Sequence, residues 1–197
     1  MSRPQNELHP KFNMHLALVH WPVLDRKGNT VCTNITNFDI MDIARVSRAF
    51  GIQSYTLVNR VREQLMFAER IVDHWKTGYG TKYNPMRSSA LGMVKTSETL
   101  EQCIAAIEPK PLVVATAARD LSGLPLKSFR ELRQSMDELP ERPILMVFGT
   151  GFGLHDDVFK MCDVRLEPIR GASADDYRHL SVRSAVSICL DRLLSTW

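Results

Sequence analysis

Apolar residues along this chain come in two rhythms. Short, nearly unbroken runs lie at residues 16–23, 54–59, 111–115 and 143–148, with a last, shorter one at 164–167. Runs of this length with so little polar content predict strands covered on both faces, as in a parallel sheet. Between them apolar positions return every three or four residues, the period of a helix with one buried face. This predicts helices over residues 39–51, with Ile40, Ile43, Ser47 and Phe50 turned inward, and over 62–76, 87–93, 126–139 and 156–160. A further helix is predicted from a cap at Ser97, with Leu100, Cys103, Ile104 and Ile107 on one face. The clearest helix is the last, where Val182, Ala185, Val186, Cys189, Leu190, Leu193 and Leu194 form a continuous stripe. Asp39 reads as the cap of the first helix, and residues 25–29 and 78–85 read as a turn and a loop. Strands alternating with helices predict an α/β fold, a mostly parallel sheet flanked by helices.

Composition narrows this only modestly. The 197 residues, 44% of them hydrophobic, suffice for one domain with a sizeable core. Residues 1–13 are polar and read as a flexible lead-in, leaving 14–197 as a single domain. No run approaches the roughly 18 apolar residues of a membrane span, and no secretory leader is visible, so a cytoplasmic protein is expected. The four cysteines (Cys32, Cys103, Cys162, Cys189) are widely spaced and read as reduced thiols rather than metal ligands; no metal is expected. The net charge of +3 neither requires nor excludes a nucleic-acid partner.

Candidate chemistry gathers at a glycine-rich turn, Phe148-Gly149-Thr150-Gly151-Phe152-Gly153, which follows the 143–148 strand and precedes the acidic helix start His155-Asp156-Asp157. A strand feeding a glycine turn that opens a helix is a common cofactor cradle. A Rossmann-type site, with Glu167 as the ribose acid, is one reading. Against it, less than a quarter of the chain follows Gly153, too little for the sheet that should come after such a turn, and the glycine spacing is not G-x-G-x-x-G. A P-loop is excluded, because no Lys-Ser/Thr follows the glycines.

Three separated segments resemble the SPOUT superfamily of RNA methyltransferases, and within it a small stand-alone bacterial subgroup. Residues 147–154 resemble its second cofactor loop. Glu167-Pro168-Ile169-Arg170-Gly171, followed by Leu180-Ser181-Val182-Arg183-Ser184-Ala185, resembles its third loop and closing helix. Residues 39–51, with Arg45 before an Ala-Phe-Gly ending, resemble its first helix. The resemblance spans about residues 14 to 195 and implies a C-terminal deep trefoil knot, S-adenosylmethionine (SAM) bound bent within it, a homodimer with its sites at the interface, and an RNA substrate, with tRNA favoured.

The resemblance also assigns residues. Thr116, Ala117 and Ala118 would form the first cofactor loop. Phe148, Gly149, Thr150, Gly151 and Gly153 would form the second, and Ile169, Arg170, Gly171, Leu180, Ser181, Arg183, Ser184 and Ala185 the third. Ser181 also suits the N-cap of the last helix. Arg45 matches the arginine that activates the acceptor in the ribose-methylating branch; otherwise it is half of a surface ion pair with Asp42. That branch's asparagine is not clearly kept; Asp39 stands near its place, with Asn37 two positions before. Asp175, in the run 175–179 with His179, can serve as a base toward a guanine nitrogen, as in the base-methylating branch, or be a solvated loop carboxylate.

From Lys76 to Lys95 there are four basic residues and no acidic one, with Tyr79 and Tyr83 among them. Cations for phosphates and aromatics for stacking suit RNA, though a charged surface loop has the same composition. A non-catalytic SAM-binding module remains the alternative to an enzyme.

Overall fold

The computed structural model describes residues 12–120 and 123–195; most of the predicted lead-in lies outside them. In chain order the elements are β1 (Met14–Val19), β2 (Val23–Leu24), β3 (Thr30–Val31), α1 (Asn37–Ala49), β4 (Ser54–Val58), α2 (Arg62–Lys76), α3 (Tyr79–Tyr83), α4 (Pro85–Leu91), β5 (Val94–Ser97), α5 (Leu100–Ala105), β6 (Leu112–Ala115), β7 (Leu126–Lys127), α6 (Phe129–Glu138), β8 (Ile144–Gly149), α7 (Asp156–Phe159), β9 (Val164–Leu166) and α8 (Val182–Leu194). Seven strands form one sheet in the order β5-β4-β1-β8-β6-β9-β7, every pairing parallel. β2 and β3 make a small antiparallel hairpin.

The strand alternation divides the core into two layers. Leu16, Leu18, Met146 and Phe148 face a layer with α1, α2, α4, α6 and α8. Their neighbours Ala17, Val19, Leu145 and Val147 face the opposite layer with α5 and α7. Successive side chains of a strand point to opposite faces, so unbroken apolar runs follow directly from a sheet covered on both sides.

The sequence reading needs several corrections. Thr36, not Asp39, caps α1: its hydroxyl accepts from Asp39 N (3.2 Å) and donates to Asp39 Oδ2 (2.6 Å). Asp39 therefore sits two residues inside the first turn, where its charge also suits the helix dipole. The helix predicted over 126–139 begins only at Phe129, because Leu126–Lys127 pairs with β9 and Ser128 with Glu131 forms a capping box. The strand Val94–Ser97 was not anticipated, and α5 starts after a Thr99 cap rather than at Ser97. The 78–85 loop contains a helical turn, after which Asn84 caps α4 by accepting from Arg87 N (3.0 Å).

One topological feature positions the site. β9 is inserted between β6 and β7, although the chain joins those two strands directly through residues 116–125. Ala115 and Leu126 both pair with Arg165, so the end of β6 and the start of β7 flank β9 at the same level. Leu124 of that connection packs in the α5/α7 layer. The chain reaches β9 from α7 in this same layer and leaves it for α8 in the other.

Candidate functional site

The C-terminal ends of β1, β8, β6 and β9 open into one cavity of about 540 Å³. Parallel sheets place their ligands at this edge, and the volume suits a small-molecule ligand. Three loops form most of the wall. After β6, Thr116 turns its hydroxyl back to the Val147 carbonyl (2.9 Å), leaving Ala117 and Ala118 beside the cavity. After β8 comes the glycine turn. The β2–β3 hairpin pins it: Phe152 N donates to Leu24 O and Leu24 N to Gly153 O, each at 2.9 Å. Gly151 (φ +59°) and Gly153 (φ +110°) take the left-handed backbone that lets the turn close on the hairpin. After β9, Glu167 and Ile169 border the cavity before the chain swings out and returns through Leu180, Ser181, Val182 and Ala185.

Two charge clusters hold this third loop. Arg170 and Arg178 share Asp176 and also meet Asp120 of the first loop, at 3.6 Å and 3.2 Å respectively. Single exposed pairs contribute little, but a four-residue network spans two loops that the cavity needs in fixed register. On the other side, buried Asp39 accepts from Arg183 Nη1 (2.9 Å), while Arg183 Nε lies 3.5 Å from Asp42. This ties the start of α8 to the start of α1. Ser181 caps α8 by accepting from Ser184 N (3.2 Å) and borders the cavity as well.

Of the sequence-predicted cofactor residues, Thr116, Ala117, Ala118, Phe148, Gly149, Thr150, Gly151, Gly153, Ile169, Leu180, Ser181 and Ala185 line the cavity. Arg170, Gly171, Arg183 and Ser184 do not; the two arginines act through the ion pairs just described. Neither predicted catalytic residue borders the cavity of its own chain. Arg45 is exposed on α1 and makes no ion pair or side-chain hydrogen bond among the described residues; Asp42 pairs with Arg183 instead. Asp175 is exposed, and a hydrogen bond from the Ser173 hydroxyl holds its carboxyl below the ordinary aspartate range. Glu167, the ribose acid of the Rossmann reading, accepts from Phe129 N (2.7 Å) at the start of α6.

The wall also contains residues that sequence reasoning passed over. His20, just beyond β1, is 1% exposed. Its Nδ1 lies 3.0 Å from Thr33 Oγ1, which lies 2.5 Å from Thr150 Oγ1, and Thr150 donates to the Val19 carbonyl (3.1 Å). Its Nε2 is buried without a partner among the described residues. Burial lowers the His20 pKa to about 4, the Asp39 carboxylate pulling the other way, so the ring is neutral at physiological pH. Thr33, Thr36 and Asp39 complete this end of the cavity.

No three histidine, cysteine or acidic side chains are placed to hold a metal ion among the described residues, and no described helix is long and apolar enough to cross a membrane. The cavity suits SAM by its size and by the small side chains and backbone of its loops.

Comparisons with known proteins agree with this geometry. A protein of Oleidesulfovibrio alaskensis, tRNA (guanine-N(1)-)-methyltransferase, is 39% identical over 189 residues, which is 94% of this chain and 43% of that protein. An uncharacterized protein of Aquifex aeolicus is 38% identical over 187 residues, 93% of this chain and 89% of its own length. The chain thus spans less than half the length of the tRNA methyltransferases it matches, 43% in two cases. Among solved structures, TrmJ from Z. mobilis ZM4 has a TM-score of 0.60 at 18% identity, over 92% of this chain and 68% of that one. The SpoU methyltransferase AviRb from Streptomyces viridochromogenes, solved in complex with AdoMet, has a TM-score of 0.53 at 12% identity, over 98% and 62%. At such identities the likeness is one of fold, the SPOUT fold. A family model described as SAM-dependent RNA methyltransferase matches residues 13–195, every loop around the cavity included, and the chain belongs to that family.

Proposed function

We propose that this chain is a cytoplasmic SAM-dependent tRNA methyltransferase that works as a homodimer and methylates a ribose 2'-oxygen. The observation that carries the SAM site is the convergence of three loops, from β6, β8 and β9, on one cavity walled by small residues and backbone. SAM supplies an electrophilic methyl group on a sulfonium. The chain's part is to hold it, to align the acceptor and to receive the acceptor's proton. Backbone groups of the glycine turn and of residues 116–118 would hold the cofactor, with Leu180 and Ala185 closing over it. The passage of the chain from one face of the sheet to the other through β9, between β6 and β7, is read as the threading of a trefoil knot, and residues 14–197 as one domain.

Ribose oxygen is favoured over guanine nitrogen by the placement of α1. Asp175 and Arg45, the residues that the guanine and ribose readings name, both stand outside the cavity of their own chain, but α1, the helix resembling the ribose-methylating branch, reaches it through Asp39. The relatives named for guanine N1 extend well beyond the matched region, so that name leaves open which part of them does the chemistry. Nucleoside mass spectrometry of tRNA from cells with and without this protein tests the reading. Loss of one 2'-O-methylnucleoside is expected. Loss of 1-methylguanosine would transfer the assignment to the base, and an unchanged modification profile would favour a non-catalytic SAM-binding module.

RNA is expected to lie along α2, α3 and α4. Tyr79 and Tyr83 are 75% and 73% exposed, with ring centroids 6.3 Å apart and planes 28° off parallel. Lys76 and Lys82 are exposed on the same segment, Arg87 lies over the Trp75 ring at 4.5 Å, and Arg48 of α1 reaches α4 by donating to Ser89 (2.9 Å). The segment is shaped, since Thr81 Oγ1 donates back to the Trp75 carbonyl (2.8 Å). Stacked bases contribute about 1–3 kcal/mol each, so Tyr79→Ala with Tyr83→Ala is expected to weaken tRNA binding by about 100-fold in fluorescence anisotropy. SAM affinity should not change. Undiminished RNA affinity would show that the RNA lies elsewhere.

A further inference from the structure

His20 stands on one flank of the cofactor loops, joined through Thr33 to Thr150 of the second loop. Those loops leave β8, β6 and β9, whereas His20 follows β1, which borders β8 on the side away from β6 and β9. Around it stand Thr33 and the α1 residue Asp39, all lining the same cavity. With the cofactor held by its three loops, this flank is the end left for the group that takes the methyl.

The protons at His20 are fixed by counting donors and acceptors. The Val19 carbonyl can only accept, and Thr150 gives it its hydroxyl hydrogen (3.1 Å). Thr150 Oγ1 then accepts from the Thr33 hydroxyl, and Thr33 Oγ1 accepts from His20 Nδ1–H. No other arrangement makes all three contacts hydrogen bonds. His20 is therefore the Nδ1–H tautomer, and its Nε2 carries a lone pair. That nitrogen is buried, belongs to a residue that lines the cavity, and has no donor among the described residues. An acceptor left unpaired in this way costs stability in the absence of ligand, and a ligand that brings a proton to it recovers that cost.

We propose that His20 is a catalytic residue whose Nε2 receives the proton of the methyl acceptor. This rests on the methyl-transfer reading above. The acceptor's lone pair forms the new bond to the methyl carbon as the carbon–sulfur bond breaks, and the sulfur keeps that electron pair as a neutral thioether. The acceptor's own proton passes to Nε2, and the resulting imidazolium later returns it to solvent. A hydroxyl becomes strongly acidic as its oxygen is alkylated, so a weakly basic, buried imidazole suffices to take the proton late in the step. The Asp39 carboxylate, fixed by Arg183 and Thr36, stands near enough to favour the imidazolium. Thr33 and Thr150 are positioning residues: they hold the ring in the tautomer that leaves Nε2 free.

The first test needs no reaction. Long-range nitrogen–proton NMR of the ligand-free protein should find the His20 proton on Nδ1; a proton on Nε2 overturns the proposal. The second uses His20→Asn, whose amide can still donate to Thr33 but has nothing at the Nε2 position. Single-turnover transfer from labelled SAM to total RNA of cells lacking the protein should fall about 100-fold or more. Melting temperature and calorimetric SAM affinity should stay near wild type. Thr33→Val should slow transfer by a smaller factor and shift the ring toward the Nε2–H tautomer. Wild-type turnover in His20→Asn overturns the proposal, as does a large loss of SAM affinity, which would make His20 part of the cofactor wall. A wild-type protein that binds SAM but methylates no RNA rejects the methyl-transfer reading itself, an outcome distinct from an active wild type with an equally active His20→Asn.

Discussion

Gly151→Val should abolish SAM binding while leaving the protein folded. Gly151 has φ +59°, a left-handed conformation that costs a residue with a Cβ about 1–2 kcal/mol. A Cβ there would lie 2.9 Å from the Leu24 carbonyl oxygen, backbone rather than a pliable side-chain end, and 3.5 Å from Thr33 Cγ2. Valine adds two methyl groups in that space. The turn can escape only by lifting off the hairpin, which breaks both 2.9 Å bonds between Leu24 and the turn. The displaced backbone is the floor of the cavity, so calorimetry should show SAM affinity reduced by about 100-fold or more, equivalent to about 2.7 kcal/mol. The sheet core beneath, Leu145 to Phe148, is buried independently of the turn. The melting temperature should therefore drop by only about 4–8 °C for a loss of about 2 kcal/mol in a domain of this size. SAM affinity equal to wild type would remove the glycine turn from the cofactor site.

That turn was legible in the sequence because its chemistry is local: a strand, three glycines and a helix start, all consecutive. The central strands were legible for the same reason, since a strand covered on both faces must be apolar throughout. β5 was not, because it lies at the sheet edge and only Val94 of its four residues is buried. β7 was absorbed into the following helix, being two residues that pair only once β9 lies beside them. His20 shows the limit most clearly. A histidine inside an apolar run reads as one more residue of a strand. What distinguishes it is a hydrogen-bond chain through Thr33 and Thr150, which are 117 residues apart. No local pattern encodes that chain, nor the pairing of Arg183 with Asp39 across 144 residues, which moved Arg183 from the cofactor wall to the α1–α8 contact.

Mixing two inactive variants should restore methyl transfer. Arg45 matches the acceptor-activating arginine of the ribose branch, yet it is exposed and absent from the cavity of its own chain. Its neighbours on α1 suit a contact surface. Phe38, two turns earlier, is 67% exposed, and Arg183 at the start of α8 lies over its ring at 5.7 Å. Covering such a surface with a second subunit would bring each Arg45 toward the partner's cavity. Arg45→Ala alone should then lower single-turnover transfer by at least about 100-fold, the scale for losing one charged group that acts at the transition state, with SAM affinity unchanged. Gly151→Val alone should be inactive for want of cofactor. In a mixed dimer, the Arg45→Ala subunit contributes an intact SAM cavity and the Gly151→Val subunit an intact Arg45, so one of the two composite sites is complete. If subunits exchange freely in an equal mixture, half the dimers are mixed, and about one quarter of wild-type activity should return. If Arg45 serves its own chain, no dimer in the mixture has a complete site and the mixture stays inactive. Full activity of Arg45→Ala by itself would exclude the arginine from the reaction in either arrangement.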